Sequence, residues 1–304
     1  MSKSKGNVVY QTDISDTYGI DTARFFLMSV ATPDKVIEWR DDGVEGSYRF
    51  LSRVYALSDK KLIAKIDTLT QSKMHRTIKG VTETIDTFEY NKTTIAITEF
   101  VNYLQTLEEL PKEAFTTLLL LIAPFTPHLA EELWEKAGQK TFISLASWPS
   151  FDEKKIDAKA EFIEETITNL TLDMRKVLEF AKIEQPKTIK IIISASWKYD
   201  FYRLLKKEIE KTRDMKLILQ AVMAKQEFKQ YGEDIAKLLP LILKDNTKLP
   251  SVILSQKEEL QNLQKVSERI KGIFKADIRI EAAEKSTEAK AKNASPSKPA
   301  IVVT

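Results

Sequence analysis

Ala123-Pro124-Phe125-Thr126-Pro127-His128-Leu129-Ala130-Glu131-Glu132-Leu133-Trp134 marks the start of a helix and also shows which side of it is buried. Thr126 offers an N-cap, and Pro127 takes the first helical position, where a missing N–H costs nothing. Glu131 and Glu132 fall in the early turns, where the helix dipole favours acids. That dipole accounts for the pair without metal or general-base chemistry. Phe125, Leu129, Leu133 and Trp134 recur at the spacing of one helical face and read as core, not as a stacking platform.

Upstream the same period repeats. Phe115, Leu118, Leu119 and Ile122 give a buried side to a helix starting at Pro111, and two more helices are expected near 71–87 and from Asn91 or Lys92 through Leu107. Val44, Phe50, Leu51, Val54 and Leu57 form one face of an earlier helix, which also carries Arg49 and Arg53 four residues apart on a common face. Two such arginines suit phosphates, and they equally suit an ordinary exposed helix surface. Between about 43 and 140 the pattern is therefore four or five antiparallel helices with short connections, an α-bundle. Before it, Asp21 is expected to cap a helix whose stripe is Ala23, Phe26, Leu27 and Val30, ending before Thr32-Pro33.

Downstream of Ser147-Trp148-Pro149 the chain turns acidic and loop-like, and a second module begins. A long amphipathic helix is predicted over 158–182, with Ile167, Leu170, Met174 and Val177 on its apolar stripe. Pro186 breaks it, and the β-branched run 188–194 is the clearest strand in the sequence. Two or three helices between 198 and 244, one over 256–270, and alternation of Ile278 and Ile280 with charges complete a small α/β unit. The fold class is thus mainly α: an antiparallel helix bundle followed by a small α/β C-terminal module. The expected divisions are 1–43, 44–148, 158–281 and a flexible tether with a β-prone tag over 282–304, because 283–299 has no apolar repeat.

Composition removes several chemistries. The absence of cysteine excludes disulfides, a thiolate nucleophile and a Cys-ligated zinc or iron–sulfur centre. His75 and His128, far apart in sequence, read as surface or packing residues, so no metal site is expected. With 47 Lys+Arg against 44 Asp+Glu, the balance is too even to signal a polyanion, and any RNA face must come from clustering. No run is long enough for a membrane span and no signal peptide is evident, so no membrane partner is expected and the cytoplasm is the default compartment.

The first seven residues, Met1-Ser2-Lys3-Ser4-Lys5-Gly6-Asn7, combine two ammonium groups with two hydroxyls and a glycine. Lysines act as mobile point charges, and hydroxyls and backbone N–H groups as neutral donors, a set suited to a nucleoside triphosphate. Composition alone also fits a solvated terminus.

The residues after that loop are more specific. Gly6-Asn7-Val8-Val9, Asp13-Ile14 and Tyr18-Gly19-Ile20-Asp21-Thr22-Ala23-Arg24 resemble the stretch after the KMSKS signature of class I aminoacyl-tRNA synthetases. Trp39-Arg40, Gly43-Val44-Glu45-Gly46, Arg49-Phe50-Leu51 and Arg53-Val54-Tyr55 narrow the resemblance to leucyl-tRNA synthetases, and the 123–134 block looks like the bundle helix shared by the leucine, isoleucine and valine enzymes. The motif's first lysine is missing, since the chain starts at Met1. The resemblance therefore implies a C-terminal part: a split subunit, a gene fragment or an excised piece.

The implied roles come residue by residue. Lys3 matches the family's second motif lysine and would stabilise charge on the β- and γ-phosphates of ATP, with Ser2 and Ser4 donating hydrogen bonds, and Met1 and Lys5 adjoining. Magnesium would accompany the ATP, with no ligand for it evident in this chain. The bundle stands where class I enzymes have their anticodon-binding domain. Arg24, Arg40, Arg49, Arg53, Lys5 and the basic tail would meet tRNA phosphates, which orient without reading sequence. The implied partners are tRNA(Leu) and an N-terminal catalytic half, and the implied activity is ATP-dependent attachment of leucine to tRNA, absent without that half. A stand-alone tRNA-binding module without catalysis is the alternative. The tail resembles archaeal and eukaryotic-type enzymes, whose last residues reach the long variable arm of leucine tRNA; a frayed end is the other reading of 300–303.

Overall fold

The computed structural model describes residues 8–37 and 39–304 and divides the chain into two compact units, with the division between Ala160 and Glu161. The first unit contains α1 (Gln11–Tyr18), α2 (Ile20–Val30), α3 (Asp41–Ala56), β1 (Leu62–Ile63), α4 (Thr68–Asp86), α5 (Tyr90–Thr106), β2 (Leu110–Pro111), α6 (Lys112–Ile122) and α7 (Pro127–Lys136). Helices α3 to α7 enclose one core in which Val54, Leu57, Val81, Ile97, Leu104, Leu118 and Leu133 are all fully buried. Each such side chain contributes about 1.5–3 kcal/mol of transfer free energy, so the periodic positions of the sequence carry most of the bundle's cohesion. Phe125, Leu133 and Trp134 belong to this core, as their spacing predicts.

Helix ends are closed by side chains. Asp67 caps α4 by accepting from the N–H groups of Leu69 and Thr70, at 3.0 Å each. The Lys60 ammonium caps the other end of α5, donating to the carbonyls of Leu104, Gln105 and Leu107, where the dipole favours a cation. β1 and β2 form a two-residue parallel ladder that the sequence does not suggest.

Helix α2 differs from its expected form. Gly19, at φ +83°, joins it to α1, a left-handed backbone that glycine adopts without strain. Its buried face is Asp21, Thr22, Ala23, Phe25 and Phe26, while Leu27 and Val30 of the expected stripe stay exposed. The reason is that α2 is wedged between two clusters. Phe25 stacks on Phe50 of the bundle core at 4.7 Å, and Phe26 packs edge-on to Trp39 at 5.1 Å beside Val44. Phe26 also sets a limit on α3, because a Cβ at Gly43 would stand 2.6 Å from its Cε2. Gly43→Ala is expected to cost about 1–2 kcal/mol in urea unfolding, the clash outweighing the helix-propensity gain.

The second unit holds α8 (Ala158–Ala181, beginning just before the division), β3 (Thr188–Ile193), α9 (Ser196–Lys211), α10 (Met215–Met223), α11 (Gly232–Lys244), α12 (Gln256–Phe274), β4 (Asp277–Ala282) and β5 (Ala300–Val303). The sheet order is β4-β3-β5, with β4 parallel and β5 antiparallel to β3. As the central strand, β3 buries Ile189 and Ile191 to Ile193 completely, which is why it is dense in isoleucine, with Lys190 the one charged position. Leu170 and Met174 of α8 and Leu263 and Ile270 of α12 cover it. A second core gathers Phe201, Leu205, Ile218, Val222, Phe228 and Ile242 from α9 to α11. A capping box, Ser255 with Glu258, starts α12.

The segment expected as a flexible tether carries local structure, and the β-prone tag pairs as a strand. Residues 283–285 and 289–293 form 3-10 turns, Ser295 and Lys298 bridge, and β5 completes the sheet. Hydropathy missed this because the segment is held by hydrogen bonds to polar side chains and by a backbone ladder, neither of which needs an apolar period.

Candidate nucleic-acid interface

Met1, Ser2, Lys3, Ser4 and Lys5, the residues expected at a triphosphate, lie outside the described residues. The four arginines expected at tRNA phosphates are placed, and all four have partners within the chain. Arg24 donates to the carbonyls of Pro124 at 3.0 Å and Phe125 at 3.3 Å, just beyond the last residue of α6. Three residues earlier on α2, Asp21 accepts from the Leu129 N–H at 2.7 Å and meets His128 Nδ1 at 2.9 Å, at the first turn of α7. An acid thus serves the N-terminal end of one helix, and a base serves carbonyls at the C-terminal end of the other. Arg24 and Asp21 are a clamp on the α6–α7 corner. Asp21 does not cap its own helix, and Thr126 makes no cap contact with α7 but bonds back to Ile122.

The remaining arginines are at the surface. Arg40 forms a two-point pair with Asp42, at 3.2 and 2.9 Å. Arg49 pairs with Glu45 at 2.6 Å one turn back on α3. Arg53 reaches Asn102 Oδ1 at 2.6 Å, with its guanidinium 5.6 Å from the Phe50 ring centroid. Exposed pairs of this kind contribute about 0–1 kcal/mol, so exchange of the carboxylate for a phosphate at Arg40 or Arg49 costs little.

Sequence reasoning passed over the tyrosines interleaved with these arginines on α3. Tyr48 and Tyr55 are 46% and 44% exposed, and with Tyr18, Leu51, Ser52 and Leu129 they line a shallow cavity of about 210 Å³. Tyr18 and Tyr48 lie 5.6 Å apart, and the Lys136 ammonium sits 4.6 Å from the Tyr55 ring. Exposed tyrosine rings with a neighbouring ammonium make a surface of the kind that suits bases and phosphates. The signal was present in the 48–55 spacing.

His75 and His128 serve structure. His75 is buried, its Nδ1 accepts from the Asp152 N–H at 3.2 Å, and burial lowers its pKa, keeping the ring neutral. Among the described residues no group of three or more His, Asp or Glu is placed to hold a metal, and no helix is long and apolar enough to cross a membrane.

Comparisons with known proteins agree with this organisation. The family described as "Anticodon-binding domain of tRNA ligase" matches residues 67–193. A leucine--tRNA ligase of Pyrococcus horikoshii is 30% identical over 100% of this chain and 33% of its own length, and one of Methanocaldococcus jannaschii is 28% identical over 99% and 32%. One of Geotalea daltonii is 41% identical over 50% of the chain and 21% of its own length. A solved leucyl-tRNA synthetase of Agrobacterium radiobacter, in a ternary complex with tRNA and LeuAMS, covers 52% of this chain and 23% of its own at 26% identity, with a TM-score of 0.47. The chain spans about a third or less of the length of the curated relatives it matches. Helix bundle, α/β module and full-length alignment together place the chain in the leucyl-tRNA synthetase family, as a C-terminal part that carries the anticodon-binding domain.

Proposed function

We propose that this chain supplies the tRNA-holding portion and the ATP-clamping loop of an ATP-dependent leucine–tRNA ligase acting in the cytoplasm. The alignment with leucine--tRNA ligases along the whole chain carries the reading. In the reaction, the leucine carboxylate attacks the α-phosphate of ATP to give leucyl-adenylate and pyrophosphate, and a terminal ribose hydroxyl of tRNA(Leu) then takes the leucyl group, releasing AMP. Lys3 offsets charge on the β- and γ-phosphates, with Ser2 and Ser4 as hydrogen-bond donors, and Met1 and Lys5 flank the nucleotide. Mg2+ enters as the counterion of the ATP substrate, and no step is assigned to a ligand for it among the described residues. Arg40, Arg49 and Arg53 contact tRNA phosphates, whereas Arg24 acts by fixing the α6–α7 corner.

Two measurements test this. The chain alone is expected to bind tRNA with a negative log–log salt slope, and Arg49→Ala with Arg53→Ala to reduce that slope by about 2. Mixed with an N-terminal catalytic half, it is expected to restore ATP–pyrophosphate exchange, which Lys3→Ala lowers at least about tenfold, roughly 1.4 kcal/mol of transition-state stabilisation. Binding without any rescue would leave a stand-alone tRNA-binding module; no tRNA binding at all would overturn both readings.

A further inference from the structure

The segment after β4 is held down by polar side chains beneath it. Glu284 accepts from the Ser196 N–H at 2.5 Å and from Gln256 Nε2 at 3.0 Å. Lys190 pairs with Glu288 at 2.6 Å. The buried Lys198 ammonium donates to the carbonyls of Lys292 and Ala294, at 2.7 Å each, and Ser194 Oγ donates to the Ala294 carbonyl at 3.2 Å. The turn before β5 is closed by Glu259, whose Oε2 accepts from the Ser297 N–H at 2.9 Å and from the Tyr199 hydroxyl at 3.1 Å. Ser297 stands in the left-handed region, at φ +64°, to present that N–H.

Glu259 is an unusual residue to close a turn with. It is 2% exposed, and its Oε1 has no hydrogen-bond partner. Among the described residues no cation pairs with it. From α9 comes Tyr199, whose own hydroxyl is held neutral by burial and by Glu259, while the Lys198 ammonium donates to the two strap carbonyls instead. From the strap comes Ser297, and the acidic Glu284 acts on Tyr199. On its own helix, Glu258 is engaged with Ser255.

We propose that Glu259 is a charge-operated clasp on the C-terminal strand: neutral, it keeps the 292–298 turn closed and β5 paired with β3, and ionised, it lets turn and strand open. In the neutral form the proton belongs on Oε1, the oxygen without a donor, and both donors to Oε2 are kept. In the ionised form an unpaired buried carboxylate is solvated only by opening, which breaks the Ser297 contact and the ladder behind it. Burial pushes this carboxyl up to about 7, against the ordinary 4.5. The raised value means the closed form holds a proton that the open form has lost. Closure is therefore favoured fully below the ordinary value and weakens as pH rises through the raised one. Opening frees the edge of β3 that β5 covers.

Amide hydrogen exchange on the full chain tests this, read as protection factors for 297 and for the β3-facing amides 300, 302 and 304, against β4 amides as an internal control. Protection at 297, 300, 302 and 304 is expected to fall about tenfold from pH 6 to pH 8, the change expected from a carboxyl whose open value lies below that window and whose closed value lies within it. Glu259→Gln keeps the acceptor and is expected to abolish the fall. Tyr199→Phe removes one donor to the charged form and is expected to move the midpoint to higher pH. A pH-independent wild type, a Gln variant that still loses protection, or a Phe variant with an unmoved midpoint would each overturn the proposal. None of these outcomes depends on tRNA binding or on a catalytic half.

Discussion

Phe25→Ala is expected to destabilise the first unit by about 3–5 kcal/mol, while Leu27→Ala, two positions along the same helix, changes stability by less than about 0.5 kcal/mol. Phe25 is 4% exposed and its ring stacks on Phe50 at 4.7 Å, so truncation removes a buried aromatic and leaves a cavity against Val54 and the rest of the bundle core. Leu27 is 45% exposed and gives up little on truncation. Urea unfolding followed by tryptophan fluorescence checks the pair. Equal losses for the two variants would mean that α2 buries the face its hydropathy suggests.

Asp21→Ala is expected to cost about 2–3 kcal/mol, more than the usual 1 kcal/mol for a local helix cap. The carboxylate is buried, accepts from the first turn of α7 and also meets His128, so its loss orphans a backbone donor and ends the contact with the exposed imidazole. Arg24→Ala is expected to cost less, about 1 kcal/mol, since that guanidinium is at the surface and its carbonyl acceptors are then open to water. A double-mutant cycle in thermal unfolding measures whether the two act as one clamp. The expected result is non-additivity of 0.5 kcal/mol or more, about the threshold for coupled neighbours. Strict additivity would separate the two ends of the α6–α7 corner.

These residues also show where sequence reasoning stops. Val54, Leu57, Leu118 and Leu133 were legible because burial on one side of a helix imposes a 3.6-residue period whatever the partner is. Asp21 was legible as a capping residue but not as the cap of a helix more than a hundred residues away, because an acid in the first turn of a helix looks the same whichever N-terminus it serves. Tyr48 and Tyr55 were visible as letters but not as a surface, since exposure depends on which face of α3 the bundle covers. Glu259 and Lys198 gave no signal: the sequence treats a charge as solvated, and only the fold of the strap over them makes them buried.

By itself the sequence determined the helical bundle, the α/β module after it and the family, because these rest on local periodicity, on proline and capping grammar, and on ordered blocks of residues. Only the tertiary structure decided that the polar segment before the last strand is held down by side chains and that the strand joins the edge of β3, that α2 turns Phe25 and not Leu27 inward, and that an aspartate and an arginine on α2 grip the ends of two other helices. Those outcomes arise from contacts between residues far apart in the chain, whose energies depend on desolvation and geometry that no local pattern records.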